Sequence, residues 1–156
     1  MRYVYMEHLL ENFSFGTVRH ILEECHRVLK HGGVIRITIF SYENLLKLYN
    51  GNDFHDMEQS VNWNIANYNT DGFFPQDKSL RHSLALSNFM NKMQKCYVYD
   101  FNAIESLLKS TKFNNICRCN FMESSHSHLD GICGYKSYMP KEMYQFETLT
   151  IEASKL

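Results

Sequence analysis

The alternation of apolar and polar residues predicts a strand, a helix and a second strand within the first forty positions. Residues Arg2 to Met6 are aromatic and β-branched, which favours a short strand. From Val18 to Leu29, apolar residues recur at the three- and four-residue intervals of one helix face. Lys30 to Gly33 would end this helix, because cations suit its negative end and glycine suits a left-handed cap. Val34 to Phe40 (VIRITIF) is too apolar for a strand with one face in water, which is typical of an interior strand covered by helices on both faces.

Beyond residue 40 the pattern predicts a helix and then an irregular stretch. Ser41 is a candidate N-cap for an amphipathic helix from Tyr42 to Tyr49. Residues 50–95 are punctuated by Asn, Asp and Gly, and within them only Leu80 to Met93 reads as helical. We interpret this stretch as an insertion lying over the edge of the sheet.

Regular structure is predicted to return in the last third of the chain. Asp100 is an N-cap candidate for a helix whose apolar face carries Ile104 and Leu108. Strands are predicted from Phe113 to Phe121 and from Leu149 to Ala153.

Composition narrows the class of protein. The 156 residues suit one domain with a real core, and 16 basic against 17 acidic residues give a net charge of −1. This balance argues against a nucleic-acid or anionic-membrane surface, and no apolar run approaches the ~20 residues of a membrane span. Five cysteines form no small disulfide framework, so we expect reduced thiols and a cytoplasmic protein.

Five short motifs occur in order along the chain. They are Glu7-His8-Leu9-Leu10-Glu11, Arg27 to Gly33 (RVLKHGG), Ser41 to Leu45 (SYENL), Tyr99-Asp100 followed by Leu107-Leu108 and Phe113, and Thr150 to Lys155 (TIEASK). This order resembles the class I S-adenosylmethionine-dependent methyltransferases, in which proline is usual at the position of His31. The nearest type is the small stand-alone methyltransferase associated with sugar and polysaccharide pathways.

The resemblance implies an α/β, Rossmann-like class I methyltransferase fold that is truncated at its N-terminus. The chain would begin at the fourth strand of that fold, and residues 1–156 would form a partial domain holding strands 4 to 7. We therefore expect Arg2–Met6 and Val34–Phe40 to be parallel neighbours. The last strand should run antiparallel between Val34–Phe40 and Phe113–Phe121.

The resemblance also identifies what this chain lacks. In this fold a glycine-rich turn after the first strand approaches the cofactor, and an acid after the second strand binds its ribose. None of the seven glycines forms a G-x-G pair or follows an early strand. The implied function is the C-terminal part of a methyltransferase for a small-molecule or sugar-type acceptor. Without those signatures we expect the chain alone not to bind S-adenosylmethionine usefully and to be inactive.

Glu7 and His8 are the candidate site residues. Relatives place residues at this strand end against the methionine part of the cofactor and the acceptor, so both are candidate cofactor-binding residues. His8 is also the candidate catalytic base, because imidazole accepts protons near neutral pH. The alternative interpretation is that His8 caps the following helix. Glu11 is interpreted as structural, a carboxylate that suits a helix start.

A zinc site is a weaker alternative. Cys117, Cys119, His126, His128 and Cys133 offer zinc-binding side chains, but Cys-x-Cys is tighter than the usual pair spacing. The other interpretation is small core cysteines and histidines in a solvated loop. We expect no metal site.

A third possibility is a non-catalytic interaction protein or a degenerate remnant. With three strands missing, Arg2 to Met6 would be an exposed sheet edge, and such edges attract partners. The chain would then associate with itself or with a separate N-terminal half.

Overall fold

The computed structural model describes residues 1–50, 58–68, 72–92, 97–134 and 139–156. These residues form a mixed α/β structure with four strands and six helices. The strands are β1 (Tyr3–Glu7), β2 (Val34–Phe40), β3 (Asn114–Cys119) and β4 (Thr148–Ser154). The helices are α1 (Phe15–Val28), α2 (Tyr42–Asn50), α3 (Glu58–Tyr68), α4 (Lys78–Lys92), α5 (Phe101–Ser110) and α6 (Lys141–Glu147). The longest of them, α4, has 15 residues, and none of the described helices has the length and apolar character of a membrane span.

The four strands form one mixed sheet in the order β1-β2-β4-β3. β1 and β2 are parallel, with Val4 opposite Ile35, and β4 is antiparallel to both β2 and β3. The predicted neighbours and directions are confirmed. β4 is longer than its apolar residues suggested, because backbone pairing with β2 continues to Thr148 at one end and Ser154 at the other.

The chain divides into two compact units. The first comprises residues 1–40, 96–135 and 148–156, and so contains the sheet, α1 and α5. The second comprises residues 41–95 and 136–147, with α2, α3, α4 and α6. The predicted insertion thus belongs to a helical unit, although its residues 51–57, 69–71 and 93–95 lie outside the described residues.

Helix α3 was missed in the sequence because it has no clean apolar stripe. Its buried residues include the polar Ser60 and Asn64 as well as Val61 and Ile65. Asn64 is fully buried, and its Oδ1 accepts a hydrogen bond from Nδ2 of Asn88 in α4 at 3.0 Å. A polar contact between helices replaces the apolar periodicity on which sequence patterns depend.

Capping residues fix where three helices begin. Ser14 Oγ accepts from the Thr17 N–H, so α1 begins at Phe15, three residues before Val18, where the predicted apolar face starts. Asp100 Oδ1 accepts from the Ala103 N–H at 2.7 Å, and Ser41 Oγ accepts from the Asn44 N–H at 3.3 Å. The N-caps predicted at Asp100 and Ser41 are therefore confirmed.

One face of the sheet is the apolar core of the first unit. Helices α1 and α5 cover this face with the predicted residues Val18, Leu22, Ile104 and Leu108, which are fully buried. Each such side chain contributes about 1.5–3 kcal/mol by leaving water. The strand residues that meet them alternate along the chain and include Met6, Ile35, Ile37, Ile39, Leu149, Ile151 and Ala153.

The opposite face of the sheet is polar, which the sequence did not predict. Arg36 is only 1% exposed, and its Nη1 donates to Glu152 Oε1 at 2.6 Å and to the Glu123 carbonyl at 2.9 Å. Within the first unit this face is covered by the non-helical segment 120–134. The expectation of helices on both faces of β2 is therefore wrong for this unit. Arg36 and Thr38 alternate with the isoleucines of VIRITIF, so one face of β2 is polar.

The end of α1 is held by a residue from the far end of the chain. Lys155 Nζ donates to the carbonyls of His26 at 2.6 Å and Leu29 at 2.8 Å, which lack helical partners. Gly32 is left-handed, with φ of 73°, but it lies in the turn before β2 and does not cap the helix, because α1 ends at Val28 with an extended C-cap at Leu29.

We expect the buried ion pair to be a strong determinant of stability. Arg36→Met or Glu152→Leu alone leaves an unpaired buried charge and should lower the free energy of unfolding by about 3–5 kcal/mol. The double variant should lose clearly less than the sum of the two. Urea denaturation measures all three, with Glu24→Ala as the control, since the Arg27–Glu24 pair is exposed. Additive losses would contradict the coupling.

Candidate functional site

The carboxyl ends of β1 and β2 lie side by side, with Glu7 opposite Thr38. We call this end of the strands the carboxyl edge of the sheet. In open α/β sheets this edge is the usual place for a ligand. The chain continues from β1 into His8 and a short 3-10 turn, Leu10–Asn12, before α1 begins. The candidate site residues Glu7 and His8 are thus placed at the edge where a ligand is expected.

His8 has an unusual backbone conformation. Its φ is 45°, a left-handed value that histidine adopts more readily than most non-glycine residues. Its N–H donates to the Thr38 carbonyl at 2.8 Å, and its ring lies 4.5 Å from that of Phe40. The side chain is 24% exposed. The sharp turn after β1 therefore places the imidazole at the end of β2.

Glu11 joins the two strand ends. It is only 2% exposed, and its Oε1 accepts from the Phe40 N–H at 2.8 Å and lies 3.2 Å from His8 Nδ1. Its Oε2 is buried and has no hydrogen-bond partner among the described residues. Its own carbonyl accepts from the Tyr97 N–H at 2.6 Å. The structural role predicted for Glu11 thus comes from these contacts to Phe40 and Tyr97.

Glu7 is engaged by the segment that covers the polar face. Its Oε1 accepts from the Gly134 N–H at 2.8 Å, and the Cys133 thiol lies 3.7 Å away as a weak donor. Burial raises the pKa of Tyr5, and the nearby Glu7 carboxylate raises it further. Glu7 thus contacts Cys133 and Gly134, whereas His8 contacts Glu11 and Phe40.

Aromatic residues pack against the chain between β1 and α1. The buried Tyr99 donates from its hydroxyl to the Phe13 carbonyl at 2.6 Å, and its ring lies 4.6 Å from that of Phe15. Burial raises the pKa of Tyr99 to about 12, with the neighbouring Tyr97 and Glu11 adding to the effect. In the sequence, the motif Tyr99-Asp100 was the signal that pointed to this segment.

The side chains of the zinc hypothesis are distributed along the polar face. Cys117 and His126 line an open cavity of about 360 Å³ at the amino end of β2, together with Glu152. The rings of His126 and His128 pack against the ring of Tyr3, with centroid distances of 6.2 and 5.3 Å. Among the residues that the structure describes, no three His, Cys, Asp or Glu side chains are grouped to hold a metal ion. Burial raises the pKa of the Cys119 thiol to about 12, with the Glu152 carboxylate as the next cause.

Comparison with known proteins yields no relative for this chain: neither a protein-family model, nor a curated protein, nor a solved structure matches it.

The contact between Glu7 and Gly134 should require a residue without a Cβ at position 134. A Cβ at Gly134 would overlap the Glu7 carboxylate, so Gly134→Ala must displace that carboxylate from its backbone donor. We expect a loss of about 1–2 kcal/mol in the free energy of unfolding, and almost none when Glu7 is already alanine. Gly16→Ala is the matched control, since nothing lies within 4 Å of its Cβ. Equal losses in both backgrounds would refute the contact.

Proposed function

We propose that this chain is the C-terminal half of a class I S-adenosylmethionine-dependent methyltransferase fold and contributes the acceptor side of its active site. The observation that carries the proposal is the sheet order, in which β4 enters antiparallel between β2 and β3. The family resemblance implies this arrangement for strands 4 to 7. A small-molecule or sugar-type acceptor is the substrate class that the resemblance favours.

His8 is the residue that would act on the acceptor. When bound, S-adenosylmethionine supplies an electrophilic methyl group, and an acceptor hydroxyl or amine must lose a proton as it is methylated. A partly exposed imidazole at the carboxyl edge of β1 is suited to take that proton. Most of the remaining rate enhancement in such a displacement comes from alignment of the reactants.

We do not expect the described residues to hold the cofactor by themselves. Glu7, the candidate cofactor-binding carboxylate, already accepts a hydrogen bond from Gly134. No glycine pair of the G-x-G type occurs in the chain to let a backbone approach the cofactor. In this proposal an N-terminal half, from a longer gene product or a separate chain, supplies cofactor binding.

We expect calorimetric titration of the chain alone with millimolar S-adenosylmethionine to show no binding. If the coding sequence upstream of Met1 encodes a strand followed by G-x-G, the complete protein should bind the cofactor at micromolar concentration. In that protein His8→Asn should lower methyl transfer by about 10²–10⁴-fold, because asparagine tolerates the left-handed backbone but is not a base.

Two results would contradict the proposal in different ways. Micromolar binding by the chain alone would show that the proposed C-terminal half suffices for cofactor binding. A complete protein that neither binds S-adenosylmethionine nor contains the glycine turn would refute the family assignment.

Association through β1 is the second candidate function, favoured by the position of β1 at the edge of the sheet. Among the described strands β1 pairs only with β2. An uncovered parallel edge is a template for another strand, and burial of apolar area is worth ~25 cal/mol per Å² before the entropic cost of association.

If the edge is used in this way, light scattering should find a concentration-dependent oligomer. A monomer of 18.5 kDa at every concentration tested would exclude self-association through β1. The proposed methyltransferase role does not depend on this outcome.

A further inference from the structure

Glu11 makes more contacts within the candidate site than a carboxylate that only stabilised the start of a helix would make. It is buried, it belongs to the turn that follows β1, and it contacts both His8 and the last residue of β2. We propose that Glu11 is a positioning residue that holds His8 with its proton on Nδ1, which makes Nε2 the basic nitrogen of the site. The use of that nitrogen as a base rests on the proposed function, whereas the position of the proton does not.

The tautomer follows from the acceptor that His8 meets. A neutral imidazole carries one proton, and the nitrogen facing a hydrogen-bond acceptor keeps it. Glu11 Oε1 lies 3.2 Å from His8 Nδ1, and it is an acceptor because the Phe40 N–H already donates to it. The lone pair of the ring is then left on Nε2.

Two restraints keep Glu11 in this position. The Phe40 N–H donates to the same Oε1 at 2.8 Å, which ties the carboxylate to the end of β2. Burial of the carboxylate also limits competition from water for the contact with His8. A hydrogen bond in the low-dielectric interior is electrostatically stronger than one in water, so it can select one tautomer.

His8 is restrained on its own side as well. Its left-handed backbone and the hydrogen bond of its N–H to the Thr38 carbonyl fix where the side chain leaves the chain. Its ring then lies against Phe40, the residue whose N–H holds Glu11. Phe40 therefore positions both members of the pair.

The same chain contains a matched pair without these restraints. His20 Nδ1 lies 3.1 Å from Glu23 Oε2, with the same three-residue spacing as His8 and Glu11. The His20 side chain is 81% exposed, so water competes for both ring nitrogens. His20 should exchange between tautomers, although its distance to a carboxylate is as short as that of His8.

Long-range ¹H–¹⁵N correlation spectra of the full chain, recorded where imidazoles are neutral, test the proposal. His8 should show the Nδ1–H pattern, and His20 should show a mixture. Glu11→Gln keeps the shape and removes the charge, so the His8 ratio of Nδ1–H to Nε2–H should fall roughly tenfold. Glu23→Gln is the control and should leave the His8 signals unchanged, and His8→Asn assigns them by their loss.

An Nε2–H tautomer of His8 in the unmodified chain would overturn the proposal, whether or not Glu11→Gln folds. An unchanged His8 ratio in folded Glu11→Gln would overturn it too. Failure to bind S-adenosylmethionine would leave these spectra unaffected, so the positioning role and the methyltransferase role can fail separately.

Discussion

A buried ion pair between the two central strands constrains the whole first unit. Arg36 of β2 and Glu152 of β4 are opposite each other in the sheet and almost completely removed from water. A shift of one residue in register would turn Arg36 into the apolar face, so the pair opposes any other alignment of these strands. The desolvation cost of two charges also requires further partners, and the Glu123 carbonyl is one of them.

The need to cover this pair connects the polar face with the candidate site. The segment 120–134 lies over Arg36, and its far end brings the Gly134 N–H to the Glu7 carboxylate at the end of β1. One irregular segment therefore satisfies the buried charges and also engages a residue expected to face a cofactor. The opposite face needs no such arrangement, because two amphipathic helices bury it by apolar contact alone.

At the carboxyl edge, side chains with different tasks are separated by the geometry of the strand end. Glu7 contacts segment 120–134. His8 has a left-handed backbone, and its ring lies beside Phe40 and Glu11. The sheet order carries the proposed methyltransferase role, and within that proposal His8 at this edge would take the proton from the acceptor. The absence of a glycine turn is the reason for assigning cofactor binding to another half.

Local pattern in the sequence was sufficient for the strand–helix–strand unit and for the N-caps Ser41 and Asp100, because each depends on neighbouring residues. The sheet order came from the resemblance of ordered motifs. Only the tertiary structure decided that Lys155 closes α1 and that Glu11 holds Phe40 and His8. These contacts join residues that periodicity treats as independent, and the free energy of buried polar groups depends on which partner the fold supplies.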